Sequence, residues 1–226
     1  MYFKISLQVL FITVIGTLFT GCGADQATEH QPGVAANFYV RYLAENQELR
    51  GQASFFQEDS TTLVFPEGIS FMGSGTLKKE LPNGLIRYEG KMRVPFQSPT
   101  RFTFKLPGQE TPTEVTFSMA GIDQFSINSA SISKGLRLSV NSTLAADESL
   151  LLLFTNPNQE VRTIVRPGPL ERTELFIPPD AVALFTPGDY RMYLVKSRQL
   201  KEQIEGLDYE ASIEFYSTEK EFKLKE

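Results

Sequence analysis

The sequence predicts an all-β protein made of two antiparallel β-sandwich-like domains in tandem. Three observations support this prediction. From residue 37 to the end, apolar and polar residues alternate with a period of two, which is typical of strands with one buried and one solvated face. Turn-forming combinations of proline, glycine and asparagine separate these segments. Only residues 197–205 carry a helix-like pattern, which Gly206 would end.

The N-terminal segment differs from the rest of the chain. Lys4 gives it a positively charged start, residues 5–19 are almost entirely apolar, and small residues precede Cys22. This layout predicts a secretory signal peptide over residues 1–21. The apolar run is shorter than the roughly 20 residues that a transmembrane helix needs.

The residues Phe19-Thr20-Gly21-Cys22 resemble the lipobox of bacterial lipoproteins. The resemblance implies that Cys22 is lipidated and that the protein is anchored by lipid in the cell envelope. Gly23 and Ala24 follow the cysteine, and the resemblance to sorted lipoproteins then implies the outer rather than the inner membrane. Residues 22–36 are mostly polar and are expected to form a flexible tether.

A change of pattern near residue 130 predicts the boundary between the two domains. Residues 37–130 would form an N-terminal β domain that resembles no family. Residues 131–226 would form a second sandwich, and the unbroken apolar run at 150–154 predicts a central strand there. Its strands are expected at 136–140, 149–155, 161–165, 173–177, 188–196 and 208–216, followed by a frayed tail at 221–224.

The segment from Leu184 through Pro187-Gly188 to Tyr190 resembles the "tyrosine corner" of immunoglobulin-like and fibronectin III-like sandwiches. The resemblance implies that the Tyr190 hydroxyl bonds to nearby backbone and that Leu184 packs beneath the turn. The tryptophan and disulfide of antibody domains are missing from the sequence. The resemblance implies a fold and no activity.

Composition excludes several classes of function. The net charge of −5 disfavours a nucleic-acid partner, which calls for a basic face. The only cysteine is Cys22, and the only histidine, His30, lies in the predicted tether. The predicted domains therefore contain no cysteine nucleophile, no histidine base and no thiolate or imidazole metal ligand, and we expect no cofactor and no metal.

Two groups of residues remain as candidate sites. Tyr39, Tyr193 and Tyr216 fall on faces predicted to be solvated, where an exposed ring can stack on a sugar or anchor a protein partner. The alternative is that the other domain or a second copy covers these rings. Acidic pairs and single carboxylates occur at Glu58-Asp59, Asp147-Glu148, Asp180 and Asp208. They could serve as acid and base or ligate calcium, although solvated loop charges are the simpler interpretation.

The leading hypothesis is a non-enzymatic lipoprotein of the cell envelope that acts as a binding or assembly module. Its partners would be the membrane, through the lipid, and an envelope protein or a glycan. One alternative is a carboxylate-dependent hydrolase that acts on envelope glycans and needs two convergent carboxyl groups. Another is a structural subunit of a larger envelope assembly, which would expose a large apolar patch.

Overall fold

The computed structural model describes residues 33–57, 59–122, 124–204 and 206–226, and nearly all of its regular structure is β-strand, which confirms the predicted all-β class. The elements are β1 (Val34–Leu43), a 3-10 turn (Ala44–Asn46), β2 (Glu48–Phe56), β3 (Ser70–Phe71), β4 (Ser74–Gly75), β5 (Leu77–Glu80), β6 (Ile86–Arg93), β7 (Thr100–Phe104), β8 (Thr113–Phe117), β9 (Phe125–Ser131), β10 (Gly135–Val140), β11 (Glu148–Thr155), β12 (Val161–Pro167), β13 (Glu174–Ile177), α1 (Pro179–Val182), β14 (Gly188–Ile204), β15 (Leu207–Tyr216) and β16 (Lys220–Leu224). No helix in these ranges is long and apolar enough to cross a membrane. The predicted signal peptide, Cys22 and residues 22–32 of the predicted tether lie outside the described residues.

A long sheet runs through the molecule in the order β12-β11-β14-β15-β1-β2-β6-β5, and β16 pairs with the start of β14. Strands β1 and β15 are parallel, and the other pairs in this sheet are antiparallel. Two smaller antiparallel sheets, β4-β3-β7-β8 and β13-β10-β9, complete the fold. Their buried side chains belong to the same hydrophobic core as those of the long sheet.

The two predicted sandwich regions share this long sheet. The predicted boundary after residue 130 falls near the end of β9. However, β15, from the C-terminal region, pairs along its whole length with β1, from Val34↔Leu207 to Leu43↔Tyr216. The described residues from Gly33 to Glu226 belong to one compact unit. Because β1 begins at Val34, residues 34–36 of the predicted tether also belong to a strand.

The helix-like pattern predicted over residues 197–205 does not produce a helix at residues 197–204, so that prediction is wrong. Residues 197–204 continue β14 and pair with β15 up to Ile204↔Leu207, just before a turn at Gly206 with φ of 82°. Pairing with a neighbouring strand here overrides a weak helical propensity. The predicted frayed tail is likewise a strand, because β16 pairs with β14 from Gly188↔Leu224 to Met192↔Lys220.

The strands of the C-terminal region lie in two antiparallel arrangements. One has the order β9-β10-β13, and the other, part of the long sheet, has the order β16-β14-β11. The hairpin of β14 and β15 precedes β16 in the chain and supplies the strand on which β1 pairs.

The turn before β14 has the hydrogen bond of a tyrosine corner. The Tyr190 hydroxyl donates to the Thr186 carbonyl oxygen at 3.1 Å. Leu184, which was expected to pack beneath the turn, is 78% exposed, so that prediction is wrong. Phe185 is the buried residue instead, and its ring stacks on Tyr190 at a centroid distance of 5.8 Å. The reason is local geometry. The Phe185 amide donates to the Val182 carbonyl in a helical turn, and this turn places the side chains of Val182 and Phe185 on the buried side.

Candidate functional site: a tyrosine surface on the long sheet

Tyr39, Tyr193 and Tyr216 lie on the outer face of the long sheet, on the adjacent strands β1, β14 and β15. Their neighbours along each strand point into the core, as the alternation of the sequence predicts. All three rings are partly buried. We call these three residues the tyrosine surface.

One carboxylate holds two of the three tyrosines. The hydroxyls of Tyr39 and Tyr216 donate to the same oxygen of Glu214, Oε2, at 2.6 and 2.9 Å. Burial and then the bond to Glu214 raise the pKa of both phenols above the ordinary value, so both remain protonated donors at neutral pH. The sequence analysis missed Glu214. Its position two residues before Tyr216, on the same face of β15, is the signal that could have identified it.

The third tyrosine, Tyr193, stacks on Tyr216. The rings of Tyr193 and Tyr216 have centroids 6.2 Å apart and planes inclined by 28°. The Arg41 guanidinium lies 5.7 Å from the Tyr216 ring centroid, within the range of a cation–π contact. Strand register explains the stack, since Tyr216 lies opposite Val195, two residues from Tyr193. The rings are therefore held by neighbours on three strands.

An open groove of about 630 Å³ adjoins the two stacked rings. Its lining residues are Leu43, Ala44, Glu45, Asn46, Tyr193, Tyr216, Ser217, Glu219 and Glu221. Three of these residues carry carboxylates: Glu45, Glu219 and Glu221. The Glu219 carboxylate is neutralised by an ion pair with Arg191 at 3.3 Å. An aromatic wall with polar acceptors at the rim suits a ring that carries hydroxyl groups, or a side chain of a protein partner.

Of the carboxylates chosen from the sequence, those that the structure describes do not line this groove. Asp147 pairs with Arg198 at 2.7 Å, and this hydrogen bond lowers the pKa of Asp147. Glu148 pairs with the buried Lys196 at 2.9 Å. Asp147 is therefore held in a surface ion pair and Glu148 in a buried one.

The other predicted carboxylates are dispersed. Asp59 accepts hydrogen bonds from the backbone and the hydroxyl of Thr61, and the hydroxyl bond is the main cause of its lowered pKa. Asp180 and Asp208 are exposed, on α1 and β15. Glu58 lies outside the described residues. Within the described ranges, no group of three or more histidine, cysteine, aspartate or glutamate residues is placed to hold a metal ion.

No protein-family model matches the chain, and no curated protein matches it. The geometry of the tyrosine surface and its groove is therefore the main guide to function.

Proposed function

We propose that this chain is a non-enzymatic lipoprotein of the cell envelope that acts as a binding or assembly module through the tyrosine surface. The observation that carries the proposal is the fixed Tyr193–Tyr216 stack beside an open groove. Rings that are already held by their neighbours lose little conformational entropy when a ligand binds. Aromatic anchors of this kind contribute a large share of the affinity at protein interfaces.

The proposed ligand is an envelope protein or a glycan. Both can use an aromatic wall: a sugar ring stacks on it through its C–H face, and a protein side chain packs against it. The Glu45 and Glu221 carboxylates at the rim of the groove can accept hydrogen bonds from hydroxyl or amide donors.

A crosslinked pull-down of the full-length protein from its own membranes, read by mass spectrometry, tests the binding proposal. The variant Tyr193→Ala/Tyr216→Ala should lose the captured partner. The variant Lys79→Ala/Glu89→Ala is the matched control, since it removes an exposed pair at the far end of the same sheet. Equal capture by the tyrosine variant and the wild type would count against the tyrosine surface.

The lipobox residues support anchoring through Cys22 at the outer membrane. Residues 23–33 lie between the cysteine and β1, and such a segment spans at most about 40 Å when extended. The variant Cys22→Ala should move the protein from the membrane fraction to the soluble fraction. Retention of this variant in the membrane fraction would contradict the lipid anchor.

A hydrolase that acts on envelope glycans is the second candidate, because three glutamates, Glu45, Glu219 and Glu221, line the groove. Glycoside hydrolysis requires two carboxyl groups about 5–10 Å apart across one cleft. Incubation of the full-length protein with isolated envelope glycan would then release reducing ends. Loss of that release in Glu45→Gln and Glu221→Gln would favour the hydrolase, whereas binding of the glycan without release would favour the binding module.

A further inference from the structure

Strand β12 forms one end of the long sheet and leaves a long edge open. It contains seven residues and pairs with β11 among the described residues. Val161 and Val165, on its outer face, are 61% and 56% exposed. The opposite end of the sheet, β5, is protected in the usual manner, since it has four residues and two of them are lysines.

The hydrogen bonds around β12 show which of its backbone groups face the open edge. The Gly168 amide donates to the Glu148 carbonyl at 2.8 Å, and the Asn156 amide donates to the Glu160 carbonyl at 3.2 Å. Bonded pairs alternate along an antiparallel ladder, so the residues of β12 that bond to β11 are Arg162, Ile164 and Arg166. The amide and carbonyl groups of the alternate residues, Val161, Thr163 and Val165, therefore point away from β11.

The open edge is complementary to itself. When two copies pair antiparallel about a two-fold axis at Thr163, Val161 of each copy lies opposite Val165 of the other. In the same register Glu160 lies opposite Arg166 of the second copy. Opposite charges and β-branched pairs in facing positions both stabilise antiparallel strands. Arg166 has no carboxylate partner in the described part of the chain, and its guanidinium donates to the Phe176 carbonyl at 3.1 Å. Glu160 is exposed, and its carboxylate accepts from the Asn156 side-chain amide at 2.7 Å.

The position of the axis follows from the same pattern. A register centred on Ile164 would place Val161 opposite Pro167, which has no amide hydrogen. A register centred on Val165 would place Thr163 opposite Pro167. Centring on Thr163 uses every outward-facing residue of the strand.

We propose that two copies of this chain associate through β12, in antiparallel pairing about a two-fold axis at Thr163, to form a continuous sheet across a homodimer. The interface is isologous, as in most two-fold dimers. It covers Val161 and Val165, and it extends an outer face that already carries the partly buried Leu151 and Leu153 of β11. The dimer is independent of the tyrosine surface and of the lipid anchor.

Thiol crosslinking of the full-length protein in cells tests the register. In Thr163→Cys the two thiols lie on facing residues, whose Cα atoms are about 5.5 Å apart in a bonded antiparallel pair. That distance is within the range of a disulfide. In Val165→Cys, on the same strand and face, the offset of four residues separates the thiols by about 13 Å along the strands.

The expected result is a yield of crosslinked dimer about ten-fold higher for Thr163→Cys than for Val165→Cys, because only the former matches the two-fold register. The unmodified protein, which carries Cys22, sets the background. A mixture of Val161→Cys and Val165→Cys proteins should crosslink to each other. Equal yields from Thr163→Cys and Val165→Cys would overturn the proposal.

Charge reversal provides a second test that does not depend on a thiol. Glu160→Arg should lower the dimer fraction several-fold, because it places two arginines opposite each other, and Arg166→Glu should do the same. The double variant Glu160→Arg/Arg166→Glu should restore the dimer. A double variant with no more dimer than either single variant would contradict the pairing, and so would a monomeric wild type. Strand addition by a different protein at the β12 edge would produce these contrary outcomes.

Discussion

The two regions of the core are filled in different ways. In the N-terminal region the ring of Phe38 on β1 contacts five other aromatic rings, with centroids 5.0–6.1 Å away. The C-terminal region is mostly aliphatic, and on β14 it contains a charged residue, Lys196, that is 1% exposed. The stability of the first region depends on how well its rings pack, and that of the second depends on the hydrogen bonds of its buried charge.

The aromatic region needs glycine where the rings lie against the sheet. Gly51 on β2 and Gly90 on β6 are cross-strand partners, and the Phe71 ring lies over both. A Cβ atom at Gly51 would lie 2.6 Å from that ring, and one at Gly90 would lie 2.9 Å from Phe71 side-chain atoms. The close approach therefore excludes any other residue at these two positions without movement of the ring.

The C-terminal region satisfies its buried charge completely. The Lys196 ammonium bonds to Glu148 at 2.9 Å, to the Ser142 hydroxyl at 3.2 Å and to the Thr143 carbonyl at 2.9 Å, which uses its three hydrogens. Glu148 also accepts the Ala145 amide at 2.7 Å. Ring packing tolerates small shifts, whereas such a network fails when one member is lost.

The β14–β15 hairpin joins the two regions, because β14 carries Lys196 and pairs with β15, and β15 pairs with β1 along its whole length. We therefore expect substitutions in either region to lower one common unfolding transition. Two separate transitions in any of the variants below would separate the regions as folding units.

The largest effect is expected from loss of the buried cation. Lys196→Met leaves Glu148 buried without its partner and should lower the free energy of unfolding by about 3–5 kcal/mol. Urea denaturation followed by circular dichroism measures it. The variant Lys196→Met/Glu148→Gln should recover part of this loss, since glutamine still accepts the Ala145 amide without a charge. A loss below about 1 kcal/mol for the single variant would mean that the pair is solvated.

A smaller effect is expected where the aromatic region is tightest. Gly51→Ala forces its Cβ against the Phe71 ring and should lower the free energy of unfolding by about 1–3 kcal/mol. Gly75→Ala is the matched control, because no atom lies within 4 Å of its added Cβ. Similar melting temperatures for the two variants would show that the ring relaxes at little cost.

The tyrosine corner contributes one hydrogen bond. Tyr190→Phe removes the bond to the Thr186 carbonyl and should lower the free energy of unfolding by about 0.5–1.5 kcal/mol. Tyr193→Phe serves as the control, since its hydroxyl makes no hydrogen bond in the described part of the chain. The prediction fails if chemical denaturation gives the two variants equal stability.

The smallest effect is pH-dependent and belongs to the N-terminal region. The hydrogen bond from Lys91, at 2.6 Å, and that from Arg50 lower the pKa of the buried Glu48. Its ionised form stabilises the fold above the unfolded-state pKa of about 4.3, and this contribution is lost as the pH falls through the lower folded-state pKa. The stability difference between wild type and Glu48→Gln should therefore be greatest near neutral pH and disappear in acid. Thermal melts across that range measure it, and a constant difference would contradict the ion pair.

The success of the sequence analysis follows from the period of the pattern. Alternation along β6, β7, β8 and β15 predicted which side chains are buried, because a strand places successive residues on opposite faces. The same alternation predicted that Tyr39, Tyr193 and Tyr216 lie on the outward faces of their strands. It did not identify Glu214, because the contact with Tyr39 depends on the pairing of β15 with β1, which are 175 residues apart at that bond.

The errors have the same origin. Residues 197–204 have helix-forming composition, and pairing with β15 alone makes them a strand. Leu184 and Phe185 are equally apolar neighbours, and a single helical turn decided which of them is buried. Neither choice is encoded in local propensity, since long-range contacts outweigh differences of a few tenths of a kcal/mol per residue.

The sequence by itself determined the all-β class, the inward positions of most strands and the absence of cysteine and histidine after the predicted tether. These are local properties, set by residue type and by a period of two. Only the tertiary structure decided that β1 completes a sheet begun by β14 and β15, that Tyr39 and Tyr216 share the Glu214 carboxylate, and that β12 leaves a self-complementary edge. Those features depend on which distant strands pair and in which register, and that information arises only when the whole chain buries its core.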